Sequence, residues 1–456
     1  MRNSIFKNGL ITAIILLLVG SGLASGYHEI SLYSKCNCQI IEDLKSDNFF
    51  SAKYPTMKPI PIELINPDNN ILDVTIVHTP NEFSWKNIDG KDFTTPARNQ
   101  GNCGSCWLFG AMGVFESVIK IKEDCADLNL DLSEQYVLSC ITEAGSCNGG
   151  DPYNCAFHYI MGNSTSENQC NGVILEKCFT YQSNFRNTPP CSEKDEDWEE
   201  YLIPISDFWQ SGFWNINNPD FKDAIKTLIY TKGPVYSMYW VSEYFKTWGS
   251  LHHRPTDYYK DLNEDCPGYV NHGIAIVGWK DDSSIRNGGY WIVKNSWGSE
   301  WGYDGFFNLE YDCLNMGAFV AWVDYDPNSF DWPADPHPPS SPIINGPISG
   351  GMGTQYRYIV SSTDPDDDPI YYTINWDDGN VDKWLGPYAS GEEITLEHSW
   401  DSSGKYNVKV MAIDEWGLQS NWSTISVRMP TNKQIFNRPI IKIISQLFDF
   451  FNISNL

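Results

Sequence analysis

One stretch of the chain, residues 100–120, constrains the fold and the chemistry more than any other. It begins Gln-Gly-Asn-Cys-Gly-Ser-Cys-Trp and continues as a run that is apolar on nearly every side. Glycines permit a tight loop before Ser105, which stands where a helix N-cap belongs. The apolar run predicts a buried helix. Cys106 is therefore expected at the helix N-terminus, at the positive end of its dipole.

A cysteine in this position has a distinct chemistry. A helix N-terminus together with an imidazolium can lower the pKa of a thiol from about 8.5 to roughly 3–4, which makes the thiolate available as a nucleophile. Such a nucleophile needs a histidine to move protons, a group that orients the histidine, and donors for an oxyanion. The structural alternative is a disulfide-bonded Cys106, the usual state of cysteines in exported proteins.

Two later motifs can supply those partners. Residues 271–279 read Asn-His-Gly-Ile-Ala-Ile-Val-Gly-Trp and contain His272 before a predicted strand, and residues 291–298 read Trp-Ile-Val-Lys-Asn-Ser-Trp-Gly and contain Asn295. With Cys-Gly-Ser-Cys-Trp, and in this chain order, they make the chain resemble the papain and cathepsin family of cysteine peptidases over residues 79–325. Taken singly, each motif has a purely structural interpretation.

The resemblance implies a role for each of four residues. Cys106 is the nucleophile, His272 is its base, and Asn295 orients the histidine. Gln100 supplies a side-chain oxyanion donor beside the backbone N–H of the nucleophile. The histidine follows the cysteine at somewhat more than the roughly 130–150 residues expected of the family, and an insertion at 255–265 explains the difference.

The resemblance also implies the fold class, which is α+β. A two-lobed peptidase unit is expected over residues 79–330, with a helical half packed against a β-barrel-like half and a cleft between them. Residues 348–430 hold short runs rich in β-branched and aromatic residues, separated by turn clusters. This spacing predicts a small all-β sandwich. The Pro-rich segment 331–347 predicts an extended linker between the two units.

Five further residues are expected at the substrate. Gly149 and Gly150 are predicted to form a cleft wall that pairs with substrate backbone as an added strand. Met238 and Val270 are expected to face a substrate side chain, and their apolar character favours a hydrophobic residue there. Trp297 is expected to shield the hydrogen bond that orients the histidine from water.

Thirteen cysteines in a chain with an export signal indicate disulfides. The family resemblance implies three pairs: Cys103–Cys147, Cys140–Cys191 and Cys266–Cys313. Six others have no certain partner: Cys36, Cys38, Cys125, Cys155, Cys170 and Cys178. Among these six, Cys155–Cys178 is one candidate pair. If twelve cysteines pair, Cys106 remains as the free thiol, in agreement with its predicted role.

Segments outside the two predicted domains occupy both ends of the chain. A positive start, an apolar run and small residues predict a signal peptide at 1–26, with an uncleaved membrane anchor as the alternative. Residues 27–78 are interpreted as a short propeptide or a linker. They lack the long charged helical motif common in the family, so inhibition by this segment stays open. The apolar tail 431–456 predicts either an interfacial helix or a segment packed on the β domain.

Residues 345–430 resemble PKD-like and related immunoglobulin-like domains, on the Ile-Asn-Trp-Asp-Asp-Gly string at 374–379 and the run at 406–414. Domains of this type usually bind partners or act as spacers. No metal or other cofactor is expected in the peptidase unit. The C-terminal domain contains a run of four carboxylates: Asp364, Asp366, Asp367 and Asp368. One interpretation is that they bind calcium, and the other is that they form a solvated turn.

Charge and sequons narrow the expected partners. The chain has 31 basic and 58 acidic residues, a net charge of -27 and no basic patch, which argues against nucleic acid. Protein or peptide substrates are expected, in a secreted or cell-surface location. The C-terminal domain and tail are candidate contacts to a cell surface or membrane interface. Asn163, Asn421 and Asn452 begin N-x-S/T sequons and predict a glycoprotein in a glycosylating host.

Three function classes follow from these observations. The leading hypothesis is a secreted cysteine endopeptidase that hydrolyses peptide bonds through a thioester acyl-enzyme. A surface adhesion or binding protein with a vestigial peptidase fold is an alternative, against which the intact set of four site residues argues. A transpeptidase, in which an amine rather than water resolves the acyl-enzyme, is the other alternative, and the sequence does not separate it from hydrolysis.

Overall fold

A computed structural model describes residues 55–61, 74–128, 130–163, 171–182, 188–211, 221–260, 268–330, 332 and 337–429. The predicted signal peptide, the predicted C-terminal tail and most of the 27–78 segment lie outside this part of the chain. The same holds for five single residues of interest: Cys36, Cys38, Cys170, Cys266 and Asn452. Most of the predicted 331–347 linker is described, and because Ile343–Asn345 form a strand of the C-terminal domain, the linker is shorter than predicted. Within the described residues, no helix is both long enough and apolar enough to cross a bilayer.

The α-helices of the described chain are α1 (Cys106–Lys122), α2 (Glu134–Cys140), α3 (Ala156–Ile160), α4 (Phe221–Lys232) and α5 (Glu243–Gly249). Helix α1 is the predicted buried helix, and every residue from Cys106 to Lys120 is buried. Ser105 occupies its N-cap position, but its side chain makes no capping hydrogen bond. Instead, its Oγ lies 2.8 Å from the hydroxyl oxygen of Tyr181. The predicted N-cap position of Ser105 is confirmed, and its hydroxyl contacts Tyr181 rather than the helix backbone.

Strands up to residue 324 are short or antiparallel: β1 (Ile60–Pro61), β2 (Glu82–Ser84), β3 (Gly145–Ser146), β4 (Gly149–Gly150), β5 (Val173–Ile174), β6 (Leu202–Ile203), β7 (Asp207–Ser211), β8 (Val235–Tyr239), β9 (Tyr258–Tyr259), β10 (Tyr269–Val270), β11 (His272–Asp281), β12 (Gly289–Lys294), β13 (Phe306–Glu310) and β14 (Val320–Asp324). The main sheet has the order β7-β14-β8-β11-β12-β13-β9, and β2 also pairs with β11. All these pairs are antiparallel except β13 with β9. The predicted mixture of helices and strands in a papain-like domain is confirmed.

Helix α1 and strand β11 touch at the level of their backbones. A Cβ atom on Gly110 would lie 2.8 Å from the backbone nitrogen of Ile274, and one on Gly273 would lie 2.9 Å from the Cα of Trp107. Only glycine leaves room for such an approach. The contact brings the start of α1 against the start of β11, and these two ends carry the cysteine and the histidine of the predicted site.

Residues 343–429 form two further sheets from β15 (Ile343–Asn345), β16 (Tyr356–Ser361), β17 (Ile370–Asn375), β18 (Val381–Tyr388), β19 (Ile394–His398), β20 (Gly404–Ile413) and β21 (Ser423–Met429). Their orders are β15-β16-β19 and β18-β17-β20-β21. Tyr358 and Val360 of β16 are buried while the residues beside them are not, the alternation of a strand with one face on a core. Strands of both sheets contribute to one apolar cluster, which includes Trp376 and Trp400.

Candidate active site

The thiol of Cys106 lies at the first residue of α1, is fully buried, and is free of any disulfide. Burial raises its pKa to about 11, although the backbone amides of Gly273 and Met57 favour the thiolate and oppose that rise. In this arrangement the sulfur is a neutral thiol. Gly273, the residue that follows His272, packs on the start of this helix.

His272 and Asn295 form a buried pair. The Nε2 atom of His272 lies 2.8 Å from Oδ1 of Asn295. The amide oxygen can only accept, so the histidine donates through Nε2 and keeps Nδ1 as a free lone pair. No described residue is hydrogen bonded to Nδ1. Burial lowers the pKa of His272 to about 3, the hydrogen bond that it donates to Asn295 opposes that fall, and the charge of Lys246 adds to it.

The indole of Trp297 covers this pair, with its ring centroid 4.7 Å from that of His272. It packs in turn on Trp301 at 4.8 Å and on Phe245 at 6.3 Å. This aromatic cover excludes water from the hydrogen bond, which strengthens it. The geometry agrees with the shielding that the sequence predicts for Trp297.

Gln100 is held by a network that the sequence analysis did not identify. Its Nε2 donates to the carbonyl of Cys103 at 2.7 Å and to that of Pro55 at 3.3 Å. Its Oε1 accepts the hydroxyl proton of Ser296 at 2.7 Å, and the backbone N–H of Ser296 donates to Oδ1 of Asn295 at 2.8 Å. Ser296 therefore connects the candidate oxyanion donor to the candidate orienting residue. Ser296 stands between Asn295 and Trp297 in the motif at 291–298, and this position is the sequence signal that could have identified its role.

Two other supporting groups were missed. The hydroxyl of Tyr181 donates to the carbonyl of Gln100 at 2.9 Å, which braces the loop before Cys106. The ammonium of Lys294 lies 3.5 Å from the carboxylate of Glu116, and both side chains are buried. This ion pair joins α1 to the end of β12, directly before Asn295. No local pattern marks either residue, because each acts across a long stretch of chain.

Residues 55–61, one of the two described parts of the 27–78 segment, lie across the site. The N–H of Met57 donates to the carbonyl of Asn271 at 3.0 Å, and the N–H of Lys58 donates to that of Asn148 at 3.1 Å. Further along, β1 pairs with β10 through Ile60 and Val270. The segment is thus hydrogen bonded to both walls of the site.

The five residues predicted to bind substrate all lie along this segment. Gly149 approaches the Cβ of Met57, Val270 pairs with Ile60, and the indole N–H of Trp297 donates to the carbonyl of Pro55 at 3.3 Å. The remaining two, Gly150 and Met238, line a small apolar cavity with a volume of about 10 Å³. Met57 and Ile60 of the segment, and Tyr236 and Phe319 of the domain, also line this cavity.

The structure contains two of the three predicted disulfides, Cys103–Cys147 and Cys140–Cys191, and these predictions are confirmed. The first joins the loop before Cys106 to the wall at 148–150. Cys313 is buried, and its predicted partner Cys266 lies outside the described residues. The candidate pair Cys155–Cys178 is wrong, because both are free thiols.

The acidic turn of the C-terminal domain lies elsewhere in the chain. Carboxylate oxygens of Asp364, Asp366 and Asp368 come within 4.8 Å of one another. Asp367, the fourth residue proposed from the sequence, is not in this group; it is exposed and has a φ of 63°. Three of the four carboxylates proposed from the sequence therefore lie together, and Asp367 does not belong to the group.

Comparison with known proteins gives the family of the peptidase domain. A model of the papain family cysteine proteases matches residues 79–319. The chain belongs to this family. Mouse cathepsin J is 28% identical over 278 residues, 59% of this chain and 72% of that protein. Rat procathepsin L is 30% identical over 55% of this chain and 66% of that protein. A cysteine proteinase of Trypanosoma brucei brucei is 31% identical, and the chain spans only 45% of it.

These findings identify a cysteine peptidase, a hydrolase of peptide bonds. Among solved structures, a PKD domain of an M14-like peptidase from a Thermoplasmatales archaeon is 45% identical and covers 21% of this chain and 99% of its own, with a TM-score of 0.21. The PKD domain of human SorCS2 is 18% identical over 23% of this chain and 83% of its own, with a TM-score of 0.18.

Proposed function

We propose that this papain-family member is a secreted endopeptidase whose chemistry is carried by Cys106, His272, Asn295 and Gln100. One observation carries the proposal. The buried His272 is hydrogen bonded to the amide oxygen of Asn295 at 2.8 Å, and the next residue, Gly273, packs on the start of the helix that carries the thiol, where an added Cβ would lie 2.9 Å from the Cα of Trp107. These contacts support an arrangement of nucleophile, base and orienting residue that covalent catalysis by a thiol requires.

The proposed reaction follows from the atoms involved. His272 takes the proton of Cys106, and the sulfur attacks the substrate carbonyl carbon. The oxyanion that forms is stabilised by Nε2 of Gln100 and by the backbone N–H of Cys106. The imidazolium then protonates the leaving amine, and a thioester remains. Water, deprotonated by His272, resolves the thioester and restores the thiol.

We also propose that residues 27–78 are a propeptide and that residues 55–61 keep the enzyme latent. The backbone N–H of Met57 is among the groups that favour the thiolate form of Cys106, and it is a donor rather than a carbonyl carbon that could be attacked. Burial keeps Cys106 protonated and His272 neutral. Removal of the segment would admit water, which lowers the cost of charging both groups and permits a thiolate–imidazolium pair.

The finer architecture belongs to the same proposal. Separate apolar clusters surround α1 and fill the space between α4 and the main sheet, which supports two lobes with the cleft between them. The two sheets of residues 343–429 around one core support a PKD-like sandwich. The disulfides support an oxidising location, either secreted or at the cell surface.

Purified full-length protein, in mild reductant, should be treated with a vinyl sulfone that carries an apolar peptide. We expect little labelling of the intact chain and at least about tenfold faster labelling at Cys106 in Met57→Asp, because a buried carboxylate opposes binding of the segment. Lys58→Ala is the matched control, since this neighbouring side chain is exposed.

Labelling should disappear in Cys106→Ala and His272→Ala. A Cys106 found in a disulfide, or labelling that does not need His272, would favour an adhesion protein with a vestigial site. Peptide products formed with an added amine instead of water would favour a transpeptidase. Equal labelling of intact and Met57→Asp protein would contradict latency alone and leave the peptidase assignment standing.

A further inference from the structure

A turn of the C-terminal domain is docked on the peptidase domain around one buried lysine. The side chain of Lys177 is only 5% exposed, and its ammonium lies 3.9 Å from the carboxylate of Glu415. The same ammonium lies 3.7 Å from the ring centroid of Tyr201, a cation–π distance. The ring of Trp416 packs near that of Tyr201, with 6.2 Å between the two ring centroids. We call residues 414–418 the docking turn.

Asp414, the first residue of the docking turn, shapes it from within. Its Oδ1 accepts the N–H groups of Trp416 and Leu418, each at 2.8 Å. The side chain is fully buried, and its Oδ2 has no hydrogen-bond partner among the described residues. A buried carboxylate oxygen without a donor is costly and requires an explanation.

Asp414 follows Ile413, which pairs with Tyr371 between β17 and β20, so it stands at the end of the sheet where the acidic turn leads into β17. Asp364 is itself only 6% exposed, and its Oδ2 also has no partner among the described residues. Asp366 is held by the backbone N–H of His337 at 2.7 Å. We call Asp364, Asp366, Asp368 and Asp414 the acidic cluster.

The chemistry of the cluster fits a hard divalent cation. Calcium binds six to eight oxygens at about 2.3–2.6 Å, so oxygens on opposite sides of the ion are up to about 5 Å apart. The oxygens of Asp364, Asp366 and Asp368 lie within 4.8 Å of one another. A cation would also partner both buried oxygens and cancel the repulsion between the carboxylates, which the burial of the cluster otherwise strengthens.

We propose that the acidic cluster binds a calcium ion and that this ion fastens the docking turn onto Lys177 and Tyr201 of the peptidase domain. Asp414 carries the coupling, because one of its oxygens faces the ion while the other holds the backbone of the turn. Without the ion, repulsion among the carboxylates loosens the turn. The contact between the docking turn and the peptidase domain is then lost.

Calcium binding is tested by calorimetric titration of the full-length protein, carrying Cys106→Ala to prevent self-digestion and freed of metal with a chelator. We expect one site with a Kd of about 10⁻⁴–10⁻³ M, the range of extracellular calcium modules. Asp364→Asn and Asp414→Asn should weaken binding at least about tenfold. Asp367→Asn is the matched control and should bind as the parent does. No binding at about 10 mM calcium, or equal weakening by Asp367→Asn, would overturn the site.

Docking is tested separately, by the rate at which an added protease cuts the chain between the two domains, at residues 331–339. Calcium should slow this cut about tenfold in the parent protein and not in Asp414→Asn. Glu415→Gln and Lys177→Met should still bind calcium while losing the protection, because they remove the docking contact and leave the acidic cluster intact. If calcium binds and the linker is cut at an unchanged rate in the parent, the coupling is refuted and the ion has only a local role.

Discussion

His272 contacts Asn295 through Nε2 at 2.8 Å, while its other ring nitrogen, Nδ1, has no partner among the described residues. The two residues come from the start of β11 and from the position after β12, and these strands are direct neighbours in the main sheet. The sheet therefore fixes the imidazole in one orientation and one tautomer, with the lone pair of Nδ1 left for a proton from the thiol.

Asn295→Ala should lower kcat for a peptide substrate by about 10²-fold, at the lower end of what general acid–base catalysis contributes. KM should change little, because Asn295 acts on the histidine and not on the substrate. The pH dependence of Cys106 alkylation should change as well, since the imidazole loses its fixed tautomer. A rise in KM at unchanged kcat would show that the residue has a binding role instead.

Acid should destabilise the segment-covered form more strongly when His272 is present. Its folded pKa of about 3 lies below the ordinary value of 6.5, so as the pH falls through that interval the unfolded chain takes up a proton that the folded chain does not. The free energy of unfolding must therefore decrease from about pH 6.5 downward.

The measurement is urea unfolding at pH 7 and pH 5 in the Cys106→Ala background, with and without His272→Gln. The carboxylates titrate in both proteins, so the difference between the two proteins isolates the histidine. An identical loss of stability with and without His272 would refute the prediction.

Gly273→Ala should destabilise the domain by about 2 kcal/mol, within the usual cost of overpacking, and should slow Cys106 labelling in protein freed of its segment. The new Cβ would lie 2.9 Å from the Cα of Trp107, and backbone cannot yield as a flexible side chain can. Gly268→Ala is a suitable control, because a Cβ there meets no atom within 4 Å. Equal effects of the two changes, in thermal melts and labelling rates, would refute the close-packing argument.

Replacing Cys103 and Cys147 together with serine should cost about 3–4 kcal/mol, the entropy expected for a loop of this length, since the two residues are separated by 44 positions. Urea denaturation checks the value. The labelling rate of Cys106 should fall too, because the disulfide ties the loop before the thiol to the wall at 148–150. A loss below about 1 kcal/mol would mean that neighbouring contacts already hold this loop.

Local patterns sufficed for some features and failed for others. The apolar run after Cys106 predicts its helix because burial on all sides leaves a clear composition signal, and the residues around His272 and Asn295 lie in strings that resemble a known family. Tyr181 could not be found, because its hydrogen bond to Gln100 spans 81 positions. The role of residues 55–61 also escaped prediction, since an extended segment that completes the hydrogen bonds of other elements needs no periodicity of its own.

Residues 55–61 and the walls that they bridge are parts of a single polypeptide, and this changes how tightly the segment needs to bind. A tethered segment meets its site at an effective concentration in the millimolar range, so even a weak ligand can occupy it nearly all the time. One cut between residues 61 and 74 would turn that encounter into a bimolecular one, diluted by the surrounding medium. Dilution of the released segment would then shift the equilibrium from the covered site to the open site, although no contact at the site has changed. The shift would be irreversible because the peptide bond is not re-formed.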